Sequence, residues 1–152
     1  MLRIVFVCHG NICRSPMAEF VLKDMLKKRN ISDKVEVISR ATSTEELGNP
    51  VYPPARAELA RHGLLCEGKC SVLLKAEDYK NYDLFIGMDT ANIRNMQRLF
   101  LGDPDGKIKK LMSYTGSDSD VADPWFTGNF DITYRDVYRG CEKLCEEIEK
   151  SV

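Results

Sequence analysis

Cys8 and Arg14 close the two ends of the run Cys8-His9-Gly10-Asn11-Ile12-Cys13-Arg14, which leads into Ser15-Pro16. A thiol and a permanent cation on one short loop can wrap an oxyanion and attack it. Cleaving a phosphate ester at a metal-free site needs a nucleophile ionised near neutral pH, donors for the equatorial oxygens and an acid for the leaving group. Cys8 suits the first role, because a helix N-terminus and a nearby guanidinium both favour thiolate. Successive backbone N–H groups of residues 9–14 can form a concave anion nest, with Gly10 allowing an unusual φ. Arg14 offers a planar fork to two oxygens and keeps its charge. Ser15 is placed to donate to the Cys8 sulfur, and Asn11 to brace the loop through its amide.

Asp123 is the candidate acid. Pro124 stiffens its backbone, and Trp125 offers a wall to an aromatic leaving group. Asp118 and Asp120 are close in sequence, but neither is followed by Pro-aromatic. Trp125 and Phe126, with His9 and the stretch Glu46–Tyr52, are expected at the mouth of the pocket. Aromatic walls suit a flat ring. Glu46 points to selection by charge.

These residues need a scaffold. Leu2–Val7 is a continuous apolar run, as in a strand buried on both faces. Ser15-Pro16 reads as a helix start, Ser as N-cap, for a helix reaching about Arg29 with Phe20, Val21, Met25 and Leu26 inward. Val35–Ile38, Tyr82–Met88 and Lys107–Met112 read as further strands, Ala55–His62 as a helix. Asp89 or Thr90 caps another helix through Leu99. Ser113–Asn129 reads as a long irregular stretch, a length that in a compact domain is commonly functional. The last helix spans about Ile132–Lys150, with Val137, Cys141, Leu144, Cys145 and Ile148 at helical spacing. Alternating strands and helices predict an α/β fold: an open four-stranded parallel sheet with helices on both faces and the phosphate-binding loop after the first strand. Ligands of such folds bind beyond the carboxyl ends of the strands, where the Cys8–Arg14 loop lies.

The chain of 152 residues reads as a single domain, 1–152, able to bury a core without staples. A net charge of −1 argues against nucleic acid and membrane-surface partners. No apolar run is long enough to span a membrane, and the N-terminus does not read as a secretory signal. The expectation is a cytoplasmic protein with reduced thiols. Its cysteines fall in the pairs Cys8/Cys13, Cys66/Cys70 and Cys141/Cys145. With no C-x2-C pair and only His9 and His62 as histidines, no metal and no cofactor are expected.

The run Cys8–Pro16, continued by Met17-Ala18-Glu19, resembles the loop of the low-molecular-weight protein tyrosine phosphatases. The resemblance covers essentially the whole chain, including the downstream Asp-Pro-aromatic. It implies metal-free hydrolysis of protein phosphotyrosine through a phosphocysteine, with Cys8 as nucleophile, Arg14 as phosphate clamp and Asp123 as general acid and base. It implies phosphate-loop roles for His9, Gly10, Asn11, Ile12, Cys13 and Ser15. Ser43 matches a serine that bonds the loop Asn. Cys13 matches a redox partner that forms a reversible disulfide with the nucleophile. Tyrosine-phosphorylated proteins are the implied substrates, a tyrosine kinase the candidate partner, and a monomer the expected state. Gly68-Lys69-Cys70-Ser71 departs from the family, standing where a histidine supports the loop network. Similar phosphoarginine phosphatases carry Thr where this chain has Ile12. A thiol-coupled arsenate reductase would need Cys66 or Cys70 as resolving thiols, because Met88 stands at that family's usual position. A silent phosphotyrosine-binding module would not need nucleophile, arginine and acid together.

Overall fold

The computed structural model describes residues 1–152. Four parallel strands, β1 (Leu2–Cys8), β2 (Val35–Ala41), β3 (Leu84–Gly87) and β4 (Ile108–Lys110), form one sheet in the order β2-β1-β3-β4. β1 lies between β2 and β3, with Cys8 opposite Ala41 and Val7 opposite Gly87. That central position explains its unbroken apolar run: Ile4 to Cys8 are all buried. β2 is an edge strand. Val35, Val37, Ser39 and Ala41 are buried in it and alternate with more exposed residues.

The helices are α1 (Arg14–Lys28), α2 (Pro53–Arg61), α3 (Thr90–Leu99), α4 (Pro124–Thr127) and α5 (Phe130–Ser151). Successive residues of β1 serve opposite faces of the sheet. Ile4, Phe6 and Cys8 join the larger core with Met17, Val21 and Leu22 of α1 and Val137, Cys141 and Leu144 of α5. Val5 and Val7 join the smaller core with Leu74, Phe85 and Met96 of α3. The chain leaves β1 towards β2 on one side and β3 towards β4 on the other. The crevice where these connections part lies beyond the carboxyl ends of β1 and β3.

Several local expectations change. Ser15 is not the N-cap of α1. Cys13 holds that place without a side-chain bond, and Ser15 sits inside the first turn. Phe20 is only partly buried, at the margin of the larger core. β4 stops at Lys110, and Leu111–Thr115 turns into a 3₁₀ helix. The stretch Ser113–Asn129 contains the short helix α4, capped by Asp123 through its bond from Trp125 N (3.1 Å). Asp89, not Thr90, caps α3, accepting from Asn92 N at 2.8 Å.

Candidate active site

The loop between β1 and α1 is gripped from outside through its carbonyls. Thr42 N donates to Cys8 O (3.1 Å), Ser43 N to His9 O (3.0 Å), Ser71 Oγ to Gly10 O (2.8 Å) and Tyr52 N to Ile12 O (2.9 Å). In a trans peptide the carbonyl and the next N–H point opposite ways. Turning these carbonyls outward therefore turns the amides of residues 9, 10, 11 and 13 towards the concave side. Asn11 N donates to Cys8 Sγ at 3.2 Å. The left-handed residue is Asn11 (φ 58°), a conformation asparagine tolerates, and not Gly10. Glycine at position 10 gives the loop room, since a Cβ there would stand 3.3 Å from Glu46 Cγ, a tight contact.

A directed chain of hydrogen bonds ends on the sulfur. Val72 N donates to Asn11 Oδ1 (3.1 Å), which fixes the orientation of the Asn11 amide. Its Nδ2 donates to Ser15 Oγ (2.7 Å). The Ser15 proton is thereby left for Cys8 Sγ, 2.9 Å away. Ser15 Oγ and Asn11 N are thus both placed to donate to the Cys8 sulfur. The bond expected between Ser43 and Asn11 is not formed. Ser43 Oγ accepts from Glu45 N (3.1 Å), a local turn that leaves Asn11 to Ser15 and Val72. The segment that lacks the family's histidine nevertheless supports the loop, through Ser71 on Gly10 O and Val72 N on Asn11. Lys69 secures that segment by bonding Ser39 O (2.9 Å), with Glu19 3.9 Å from its ammonium.

Arg14 is buried. Its Nη1 donates to Asp89 Oδ2 (2.7 Å) and to Val121 O (3.0 Å), and its Nη2 lies 3.4 Å from Asp123 Oδ2. Burial alone would lower its pKa, but Cys8, Asp89 and Asp123 outweigh it and raise the pKa above its ordinary value. Burial, reinforced by Cys8 and Asp123 and further by Glu46, pushes the Cys13 thiol up to about 12. Cys13 is therefore a thiol at neutral pH.

These groups share one cleft of about 170 Å³, lined by the whole loop from Cys8 to Arg14 together with Glu45, Glu46, Asp123, Trp125 and Phe126. Trp125 and Phe126 are exposed at it. Tyr52 is not in the lining. It packs behind Trp125, ring centroids 4.8 Å apart, and holds that wall. Cys66 and Cys70 lie outside the cleft, the first buried and the second exposed.

A thiol held by two donors, a buried guanidinium and a carboxylate in one cleft can bind a phosphoryl group, accept it and protonate its leaving oxygen. A family model for "Low molecular weight phosphotyrosine protein phosphatase" matches residues 3–152. The chain belongs to this family. It is 37% identical over 153 aligned positions to the low molecular weight protein-tyrosine-phosphatase PtpA of Staphylococcus aureus, covering 99% of this chain and 96% of that one. The crystal structure of YfkJ from Bacillus subtilis superposes with a TM-score of 0.96 at 34% identity, covering 99% of this chain and 96% of that one. The Drosophila arginine phosphatase DARP does so at 0.88 and 30%, covering 97% and 98%. This low-molecular-weight phosphatase is thus similar to one protein named for tyrosine and another named for arginine.

Asp89 and Val121, which aim the Arg14 fork, escaped the sequence reading as site residues. Asp89 was visible only as a cap. Its position just after β3, beside the crevice, is the signal that could have marked it.

Proposed function

We propose that the protein hydrolyses phosphotyrosine in protein substrates through a phosphocysteine on Cys8. The observation that carries this reading is the placement of Cys8 Sγ, Arg14 and Asp123 in one cleft walled by Trp125 and Phe126. Cys8 thiolate attacks phosphorus in line, with the loop amides and Arg14 holding the equatorial oxygens. Asp123 protonates the departing phenolate, then takes a proton from the water that cleaves the phosphocysteine. Its N-cap bond to Trp125 N leaves Oδ2 facing Arg14 and the cleft.

Aromatic walls and the apolar Ile12 in the lining favour a flat ring over the charged guanidino group of phosphoarginine. A tyrosine kinase is the class of enzyme that must supply such a substrate. Cys13 lies with Cys8 in the lining of the cleft, which supports a reversible disulfide that would interrupt turnover under oxidants. No helix is long and apolar enough to cross a membrane.

The test is phosphate release from matched phosphotyrosine and phosphoarginine peptides in reductant, by wild type, Cys8→Ser and Asp123→Ala. The expected result is phosphotyrosine turnover that Cys8→Ser abolishes and Asp123→Ala lowers by roughly 10²-fold or more. Preference for the phosphoarginine peptide would overturn the substrate assignment.

A further inference from the structure

Bonds within α4 hold Asp123 in that short helix, but they do not attach it to the rest of the molecule. The residues just ahead of it do, one after another. Ala122 O, in the peptide that leads into Asp123, accepts from Thr133 Oγ1 (3.1 Å). Thr133 is buried in the first turn of α5, a helix packed against α1. Val121 N donates to Met88 O (2.8 Å), and Val121 O accepts from Arg14. Asp120 Oδ1 accepts from Lys110 Nζ (2.6 Å), Thr90 N (3.1 Å) and Thr90 Oγ1 (3.3 Å).

Lys110 ends β4 with its side chain only 15% exposed, and an ammonium held that deep is costly unless it is bonded. Its three donors all have partners: Asp120, Thr90 Oγ1 (3.0 Å) and Asp118 O (2.8 Å). Burial alone would raise the Asp120 pKa, but Lys110 and Thr90 outweigh it and hold the carboxyl below its ordinary value, so Asp120 stays ionised at neutral pH. Asp120 is outside the cleft lining, so this charge does not act on phosphate directly. What the ion pair joins is the end of β4, the start of α3 and the chain that carries the acid. α3 and α5 pack on opposite faces of the sheet, so the segment 120–122 is gripped from both. We propose that Thr133 and the Lys110–Asp120 pair are positioning residues for the general acid, clamping the chain ahead of Asp123 so that its carboxyl is aimed at the leaving oxygen. This rests on Asp123 acting as the acid in the reading above and adds to it the groups that aim it.

The test compares phenyl phosphate, whose phenolate needs a proton to leave, with 2,4-dinitrophenyl phosphate, whose phenolate leaves without one. kcat/KM on both is measured for wild type, Asp123→Ala, Thr133→Val, Thr133→Ser and Lys110→Met. In Asp123→Ala the dinitrophenyl-to-phenyl ratio should rise by roughly 10²-fold. In Thr133→Val and Lys110→Met it should rise by roughly tenfold, because the acid is still present but misaimed. Thr133→Ser keeps the hydroxyl and should hold the wild-type ratio. A merely loosened fold lowers both rates together and leaves the ratio unchanged. Lys110→Met, at a partly exposed site, carries the test if Thr133→Val does not fold. A wild-type ratio in Thr133→Val or Lys110→Met, beside a rise in Asp123→Ala, would overturn the clamp while leaving the acid in place. So would a ratio in Thr133→Ser as high as in Thr133→Val. A wild-type ratio in Asp123→Ala would overturn the acid reading and the clamp with it.

Discussion

Replacing Asp89 separates its two jobs. In Asp89→Asn the side-chain oxygen can still accept from Asn92 N and cap α3, but an amide N–H₂ replaces the oxygen that accepts from Arg14 Nη1. Donor then faces donor beside a buried guanidinium. A charge-assisted hydrogen bond contributes about 1.5–3 kcal/mol, and stripping one partner from a buried ion pair costs about 3–5 kcal/mol. Arg14 keeps Val121 O and Asp123, so the loss belongs at the low end, about 2–3 kcal/mol. Asp89→Ala also removes the cap, for about 1 kcal/mol more. Urea denaturation reads both. The kinetic effect follows from aim, since a displacement of about 1 Å in a positioning group costs on the order of 10²-fold. Turnover of an aryl phosphate should therefore fall between about 10- and 100-fold in both variants. If Asp89→Asn stays within about 0.5 kcal/mol of wild type and turns over normally, the clamp does not depend on Asp89 and the reasoning fails.

Other outcomes follow from the same packing. Ser71→Ala should cost about 1 kcal/mol and raise KM, because Gly10 O loses its part-buried donor; unchanged kinetics would show that the segment 69–72 does not brace the loop. Glu19 is buried between Ser39 Oγ, Lys23 and Lys69, so Glu19→Gln should cost about 2–3 kcal/mol by leaving the buried Lys69 uncompensated, and Lys69→Met in the same chain should recover part of it, which a double-mutant cycle measures. Gly140→Ala should destabilise by about 1–3 kcal/mol in urea despite alanine's better helix propensity, because its Cβ would stand 2.5 Å from Leu111 Cγ. Burial raises Cys13 from 9.0, and Tyr114 and Tyr134 from 10.0, each to about 12. The unfolded chain ionises these groups first, so their contribution is full below pH 9 and is lost as pH rises through about 12; denaturation midpoints should fall across that window, less steeply in Tyr114→Phe.

What was legible in the sequence was local. The apolar run of β1 signals a central strand, the Cys8–Arg14 loop declares its chemistry within one turn of chain, and Asp89 reads as a cap because its partner is three residues on. What was hidden depends on where the crossovers bring distant segments. Arg14 meets Asp89 and Val121 across the crevice between β1 and β3, and Asn11 and Gly10 are held by Val72 and Ser71. No periodicity or spacing encodes those meetings. Ser43 shows the reverse error: a position matched by resemblance bonds its own turn, while Asn11 Oδ1 accepts from Val72 N. β4 was read too long because apolar residues at 111 and 112 serve a buried 3₁₀ turn as well as they would a strand.

The central claim is that the phosphoryl group passes through the Cys8 sulfur. Wild type and Asp123→Ala would be mixed with a phosphotyrosine peptide, quenched in acid within milliseconds, and mapped by mass spectrometry of the peptide containing residues 8–14. The account predicts a phosphate on Cys8 that forms and decays in step with turnover in wild type, and no turnover in Cys8→Ser. Turnover that persists in Cys8→Ser, or that proceeds in wild type with no phosphate on Cys8, would contradict it.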